Sequence, residues 1–380
     1  MKFKSIQVSV AALAGALVLS VVAVLVLYAL FAGARTQEMV QERTQGQFEQ
    51  IIEQRLTALA QTQAALIQRE LDRRRPGQSA LTTQRREADQ AEILSGIFEG
   101  RTLGTPIAIL VRNTDAQSKD YDALRDVFRP GHADRVTIEK YGVRDHRGGG
   151  RSSGRETVGR VAAGALARAA LSTVGVTIRG GTVQVGAHRA EKRDWDEVEN
   201  NPVRCPDHEA ALVMAGIIER ARDEKDSVGG VVEVMAGGVP AGWGDPTMEK
   251  LDARLGAAML SIPATKGVEI GGGFAMSALR GSESNDVFES GRHLTNFAGG
   301  ISGGISNGAD IVVRVAVRPA TSIGKPQTAA TAEGGSRTIE IQGRHDPCIC
   351  PRVVPVAESM LAITLVDAWL RQRAVRGRDR

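Results

Sequence analysis

The stretch RGGGRSSGRETVGRVAAGALARAALSTVGVTIRGGTVQV, Arg147 to Val185, sets the reading of this chain. Three glycines, Gly148 to Gly150, let the backbone approach a ligand closely. Arg151, Ser152 and Ser153 follow, and Ser153 is placed to open a helix. Gly159 to Ala170 is small and aliphatic and predicts a helix. Val174 to Val185 predicts a hairpin around Gly180-Gly181. A basic Gly-rich loop therefore runs into a helix start, where free N–H groups and arginine forks both favour an anion. The bland alternative is a solvated basic loop closed by a capping serine.

Outward from this stretch the texture stays punctuated by glycine. Helices are expected at 208–224, 247–260 and 353–374. Strands are expected at 229–235 and 310–318, with a buried one from Pro106 to Arg112. The alternation is irregular, which favours α+β over a doubly wound parallel sheet. Gly is high at 43 residues while aromatics are only 4%, which excludes modules that stack single-stranded nucleic acid on exposed rings. The net charge of +4 is too mild to imply a nucleic-acid partner. Cys205, Cys348 and Cys350 cannot form a disulfide framework, so a reducing compartment is expected. A zinc set of Cys205, His208, Cys348 and Cys350 is disfavoured, because Cys-x-Cys is not the usual structural spacing.

Three further constellations carry chemistry. In Phe128 to Asp134, His132 follows a turn and neighbours Arg129, which suits proton transfer near an anion. A purely structural histidine is the competing explanation. Gly343 to Cys348 sets Arg344, His345 and Asp346 ahead of a helix, and an Asp near Arg is held ionised. There an Asp cap before a Pro-containing turn competes. Gly299 to Gly308 precedes a strand and then Arg318-Pro319-Ala320-Thr321-Ser322. Such a loop can cradle a phosphate or lie under a flat ring, but no Gly-Lys-Ser/Thr closes it as in a P-loop. With Arg73, Arg74 and Arg75, the pattern suggests a pocket for a multiply anionic small molecule.

The opening is of another kind. Residues 5–34 are uncharged and long enough to span a bilayer, and Lys2 and Lys4 place the N-terminus on the cytoplasmic side. Residues 36–70 read as an amphipathic helix. Together 1–70 resembles the start of a methyl-accepting chemotaxis receptor, although no signalling hairpin follows. The expected organisation is a transmembrane helix (1–35), the amphipathic helix (36–70), one large domain (71–375) and a basic tail (376–380).

The strings Asp72 to Gly77, Ser95 to Gly100, Asn113 to Asp115, Phe128 to Asp134, Gly148 to Glu156, Gly299 to Gly308 and Gly343 to Cys348 resemble chorismate synthase, in the family's order. The resemblance implies a β-α-β sandwich, commonly a homotetramer. It implies a cytoplasmic lyase of the shikimate pathway. The reaction is a 1,4-anti elimination of phosphate from 5-enolpyruvylshikimate 3-phosphate, giving chorismate with reduced FMN. NADPH would be the reductant where the protein reduces its own flavin. On this likeness His132 and Asp346 are catalytic. Arg151, Ser152, Ser153, Ala264, Gly303, Arg318, Pro319, Ala320, Thr321, Ser322 and Arg344 contact FMN, and Arg74 meets the reductant nucleotide or a substrate anion. The family's opening Gly-Glu-Ser-His-Gly, with its first catalytic histidine, is absent. His146 and His345 are the candidate replacements. A non-catalytic, membrane-tethered flavin- or anion-binding module is the alternative, and a receptor-type sensor the third reading.

Overall fold

The computed structural model describes residues 65–376, except 80, 84–87, 99–100, 115–117, 148–149, 151–152 and 342–344. The expected membrane span at 5–34, most of the 36–70 helix, Arg151, Ser152, Arg344 and the end of the tail lie outside the described residues.

The described elements open with helix α1 (65–74), then α2 (Asp134–Tyr141) and α3 (Thr157–Ser172). Strands β1 (Thr177–Val185) and β2 (His188–Arg189), helix α4 (His208–Asp223) and strand β3 (Gly230–Gly237) come next. Helix α5 (Leu251–Leu260), strands β4 (Thr265–Ile270) and β5 (Ile311–Val317) and the long helix α6 (Cys350–Arg376) complete the frame. The sheet order is β2-β1-β3-β5-β4, with every pairing antiparallel. That is the α+β arrangement the irregular alternation suggested.

The sheet follows from period-two patterning. Val232, Val234 and Ala236 of β3 and Ile311, Val313 and Val315 of β5 are wholly buried. Their intervening neighbours Glu233 and Arg314 face the other way and pair with each other. α6 packs against α3, α5, β1 and β3. It is apolar enough to cross a membrane by length and composition, yet 72% of its most apolar window is buried inside the protein. It is a core helix.

Two close approaches fix how these layers meet. At Gly164 in α3, a Cβ would lie 2.2 Å from the Ser359 Cβ of α6. Pro355 sits inside α6 and has no N–H to give to the carbonyl of Pro351, one turn back. Arg204 supplies the missing donor, its Nη1 donating to Pro351 O at 2.7 Å. Buried carbonyls need such partners.

The expected hairpin at Gly180-Gly181 is instead the middle of one continuous strand, β1, whose register with β3 shifts between Thr182 and Gln184. A Cβ at Gly180 would stand 2.8 Å from Val234, and one at Gly181 would stand 3.0 Å from the Arg204 carbonyl. These glycines make room for neighbours and do not turn the chain. The strand expected from Pro106 to Arg112 is shorter, Ile109–Val111, and half-buried. It pairs with Ala91–Ile93, and the apolar side chains of this ribbon pack against the main core. Leu71 is not a break. α1 runs through it, and Ile67 and Leu71 are both buried in the main core. A satellite core of Leu124, Val127, Ala329, Ile339 and Ile341 lies under a small three-stranded sheet.

Candidate active site

A cavity of about 290 Å³ opens where the ends of α1, α3 and α6 meet the loops after α5 and β5. It brings together Arg74, His132, Ser153, Ala264, Arg318 to Ser322 and Asp346, which the sequence had placed far apart. It also takes in Thr83, Arg155, His345 and Arg352. One wall is apolar, made by Ile262, Pro263, Ile349, Val353 and Val356.

The His132 loop is built by its own residues. Asp134 opens α2 while its carboxylate folds back on the loop. Its Oδ2 accepts from the Arg129 backbone N–H and Nε at 3.1 and 2.8 Å. Its Oδ1 lies 2.9 Å from Arg129 Nη2, 2.8 Å from Arg144 Nη1 and 2.8 Å from His132 Nδ1. Burial disfavours the Asp134 charge. The hydrogen bonds and charges of Arg129 and His132 outweigh it and hold the carboxyl far below the usual range.

Asp346 is held from two sides. Thr83 N–H donates to its Oδ1 at 2.8 Å, and Arg352 Nη1 donates to its Oδ2 at 2.6 Å. Arg352 stands in the first turn of α6, where Pro351 has no N–H to offer and the N–H groups of Arg352 and Val353 both donate to Ile349 O at 3.0 Å.

Arg74 is the only member of the Arg73–Arg75 run in the cavity wall. Its fork is committed to the protein: Nη1 to Asp89 at 2.9 Å, Nη2 to Gly154 O at 2.7 Å, Nε to Thr157 Oγ1 at 3.1 Å. Burial, then repulsion from Arg352, brings its proton affinity down to about 10, against the pull of Asp89. Asp89 also receives Arg155. Arg73 turns away to Glu70, Glu199 and Glu358, and Arg75 lies half-exposed beside Asp72. The three-arginine pocket therefore reduces here to Arg74, with Arg155, Arg318 and Arg352 from elsewhere.

Arg318 leads the strip to Ser322. Its Nη2 donates to Gly131 O at 2.8 Å, tying the strip to the His132 loop. Its Nε is buried with no partner among the described residues. Ser153 accepts from the Arg155 N–H at 3.2 Å, the capping role foreseen. Ala264 takes φ +70°, a left-handed conformation unusual for a residue with a Cβ.

Gly303 is not part of this cavity. It turns the Ile301–Ser306 hairpin, which docks on the start of α5 through Leu251 N–H to Gly304 O at 2.9 Å. His146 is also elsewhere, 3.8 Å from Asp122, whereas His345 lines the cavity beside Asp346. Among the described residues no group of three metal-ligating side chains forms. The Cys205 thiol is buried and its pKa is pushed up to about 11, chiefly by burial. Arg155 belongs to the basic glycine-rich run that was read as an anion site, whereas Thr83 and Arg352 were not anticipated. Only Arg352 left a trace in the sequence, as a cation beside Pro351 at a helix start.

The family model for chorismate synthase matches residues 44–370, beginning ahead of the boundary drawn at Leu71. The chain is 58% identical over 315 residues to the chorismate synthase of Chloroflexus aggregans, covering 82% of this chain and 86% of that one. It is 52% identical over 314 residues to that of Methanosarcina mazei, covering 80% and 86%. A crystal structure of chorismate synthase superposes with a TM-score of 0.62 at 33% identity, covering 81% of this chain and 83% of that one.

Proposed function

The chain belongs to the chorismate synthase family, and we propose that the cavity described above is where it performs the 1,4-anti elimination of phosphate from 5-enolpyruvylshikimate 3-phosphate. One observation carries the assignment to this cavity. Segments from position 74 to position 356 converge there on His132, Asp346 and four arginines. The substrate has one phosphate and two carboxylates, and arginine forks suit such groups. Arg74 is fixed in place, while Arg155, Arg318 and Arg352 stand where an anion could share them.

The residues present fit a flavin mononucleotide. The unpartnered Nε of Arg318 suits an anionic oxygen, and the apolar wall by Ala264 suits a flat ring. Ser153 and the Arg318–Ser322 strip would hold it. Bound reduced FMN would supply electron density to the departing allylic phosphate and recover it, which accounts for the absence of net redox change. His132 holds a proton for the substrate or the leaving phosphate. Arg352 and the Thr83 N–H fix the Asp346 carboxylate in the same cavity wall, where it can accept a proton. His345 is the lining residue best placed to stand in for the family's first histidine. We place the protein in the cytoplasm and expect a homotetramer, on the family likeness. Light scattering on the purified chain tests the assembly, and NADPH oxidation by the flavin-loaded protein tests whether it reduces its own flavin.

The test is anaerobic turnover by the full chain with reduced FMN and enolpyruvylshikimate phosphate, followed by chorismate absorbance. Chorismate formation supports the assignment. Flavin binding without chorismate would overturn it and leave a binding module.

A further inference from the structure

We infer that Asp134 is a positioning residue, which locks His132 in the Nδ1–H tautomer and so makes Nε2 the ring atom that exchanges protons in the cavity. The inference rests on the proposed role of His132 and specifies it.

The argument starts from what can donate. His132 Nδ1 lies 2.8 Å from Asp134 Oδ1 and 3.0 Å from Arg129 Nη2. Both contacts cannot be hydrogen bonds at once. A guanidinium only donates, and an ionised carboxylate only accepts. If Nδ1 carries hydrogen, it donates to Asp134. If it is bare, it accepts from Arg129, and its lone pair then faces a carboxylate at 2.8 Å.

Two facts favour the first arrangement. Arg129 Nη2 already has Asp134 Oδ1 as an acceptor at 2.9 Å. Asp134 is held ionised in a buried place, so a bare nitrogen lone pair beside it would be repelled. Asp134 is itself rigid. Arg144 reaches it at 2.8 Å while also donating to the carbonyls of Leu124 and Arg125, both at 2.8 Å. The imidazole is therefore oriented by a carboxylate that is anchored, through Arg144, to the backbone of the satellite core.

The consequence is specific. Nδ1 keeps its hydrogen throughout, and Nε2 alone gains and loses one. Asp134 does not take the proton, because two arginines stabilise its charge.

The test combines ring ¹⁵N shifts with kinetics, on the full chain at a pH where the ring is neutral. The chain has six histidines, and the His132 signals are assigned by their loss in His132→Ala. The expected spectrum shows His132 protonated at Nδ1. In Asp134→Asn an NH₂ replaces one oxygen. Arginine cannot accept from it, so it settles against His132 Nδ1 and drives the ring to the Nε2–H form. That variant should lose about 10²-fold in kcat, within the range for misplacing a general acid or base. KM and flavin affinity should hold. Asp134→Asn should add nothing further in a His132→Ala background.

A wild-type ring protonated at Nε2 would overturn the inference. So would an Asp134→Asn protein with an unmoved tautomer or full kcat. If Asp134→Asn does not fold, the wild-type spectrum decides alone. Full turnover in His132→Ala would instead overturn the role of His132, while the tautomer result stood.

Discussion

Replacing Arg204 by Met should loosen the entrance of α6, because among the described residues Arg204 supplies the hydrogen bond that Pro355 cannot. Its Nη1 donates to Pro351 O at 2.7 Å in a buried setting. Losing a charge-assisted bond to a buried carbonyl costs about 1.5–3 kcal/mol. Arg204 also meets Glu199, but that carboxylate is half-exposed and keeps Arg73, which limits this loss to about 0–1 kcal/mol. Against these stands relief from burying the guanidinium, whose proton affinity is lowered first by that burial. Methionine fills much of the vacated space. The net expectation is a loss of about 2 kcal/mol. Restoring the backbone donor with Pro355→Ala should remove most of it, because residue 355 can then bond Pro351 directly. The double variant should therefore show a coupling of about 1–2 kcal/mol. Urea unfolding reads this out through Trp243 and Trp369, whose rings lie 6.3 Å apart in the core. The midpoint should fall at unchanged slope. Equal losses from Arg204→Met in the wild-type and Pro355→Ala backgrounds would refute the reasoning.

Arg352→Met should strip Asp346 of its partner at 2.6 Å and lower kcat at least tenfold with little change in flavin affinity; steady-state kinetics decide, and a change confined to KM would argue for substrate binding alone. Ala264→Gly should raise stability by about 0.5–1 kcal/mol by removing a Cβ from φ +70°, read as a higher thermal midpoint. Glu70, Asp134 and Glu199 all have depressed proton affinities in the folded protein, because arginines outweigh the opposing effect of burial. Their unfolded values lie near 4, so their contribution is complete above that and is lost as pH falls through the depressed folded values. The thermal midpoint should thus be insensitive to these groups between pH 8 and 5 and should drop below pH 4. A drop already present at pH 5 that Asp134→Asn abolishes would contradict this.

Local signals carried far in this chain, and long-range ones did not. The Ser153 cap, the helices behind it and the aliphatic strands announced themselves through neighbours a few residues away. The His132 loop was equally legible, since Arg129 and Asp134 lie within its own turn. Gly180-Gly181 misled because glycine pairs serve both turns and close packing, and only the nearness of Val234 and Arg204 tells which. Gly303 belonged to a similar glycine-rich stretch but was drawn off by α5. The contacts that hold Asp346 join Thr83 to a residue more than 250 positions later. No pattern within a window could show them. The break assumed at Leu71 reflected composition, whereas the helix through it obeys the core.

The placing of α6 bears on how the protein is made. The helix closes the apolar face of the sheet, and of the described elements it is the last to leave the ribosome. Until it emerges, β1, β3 and β5 can pair but their inner side chains stay wet. Synthesis at roughly 5–20 residues per second leaves that surface open for seconds, long enough for wrong partners to find it. The cavity, too, lacks Arg352 and the Val353 and Val356 part of its apolar wall until then. A nascent chain can assemble most of its sheet, but it cannot hold its ligands before α6 has emerged, so ligand cannot rescue an early misstep.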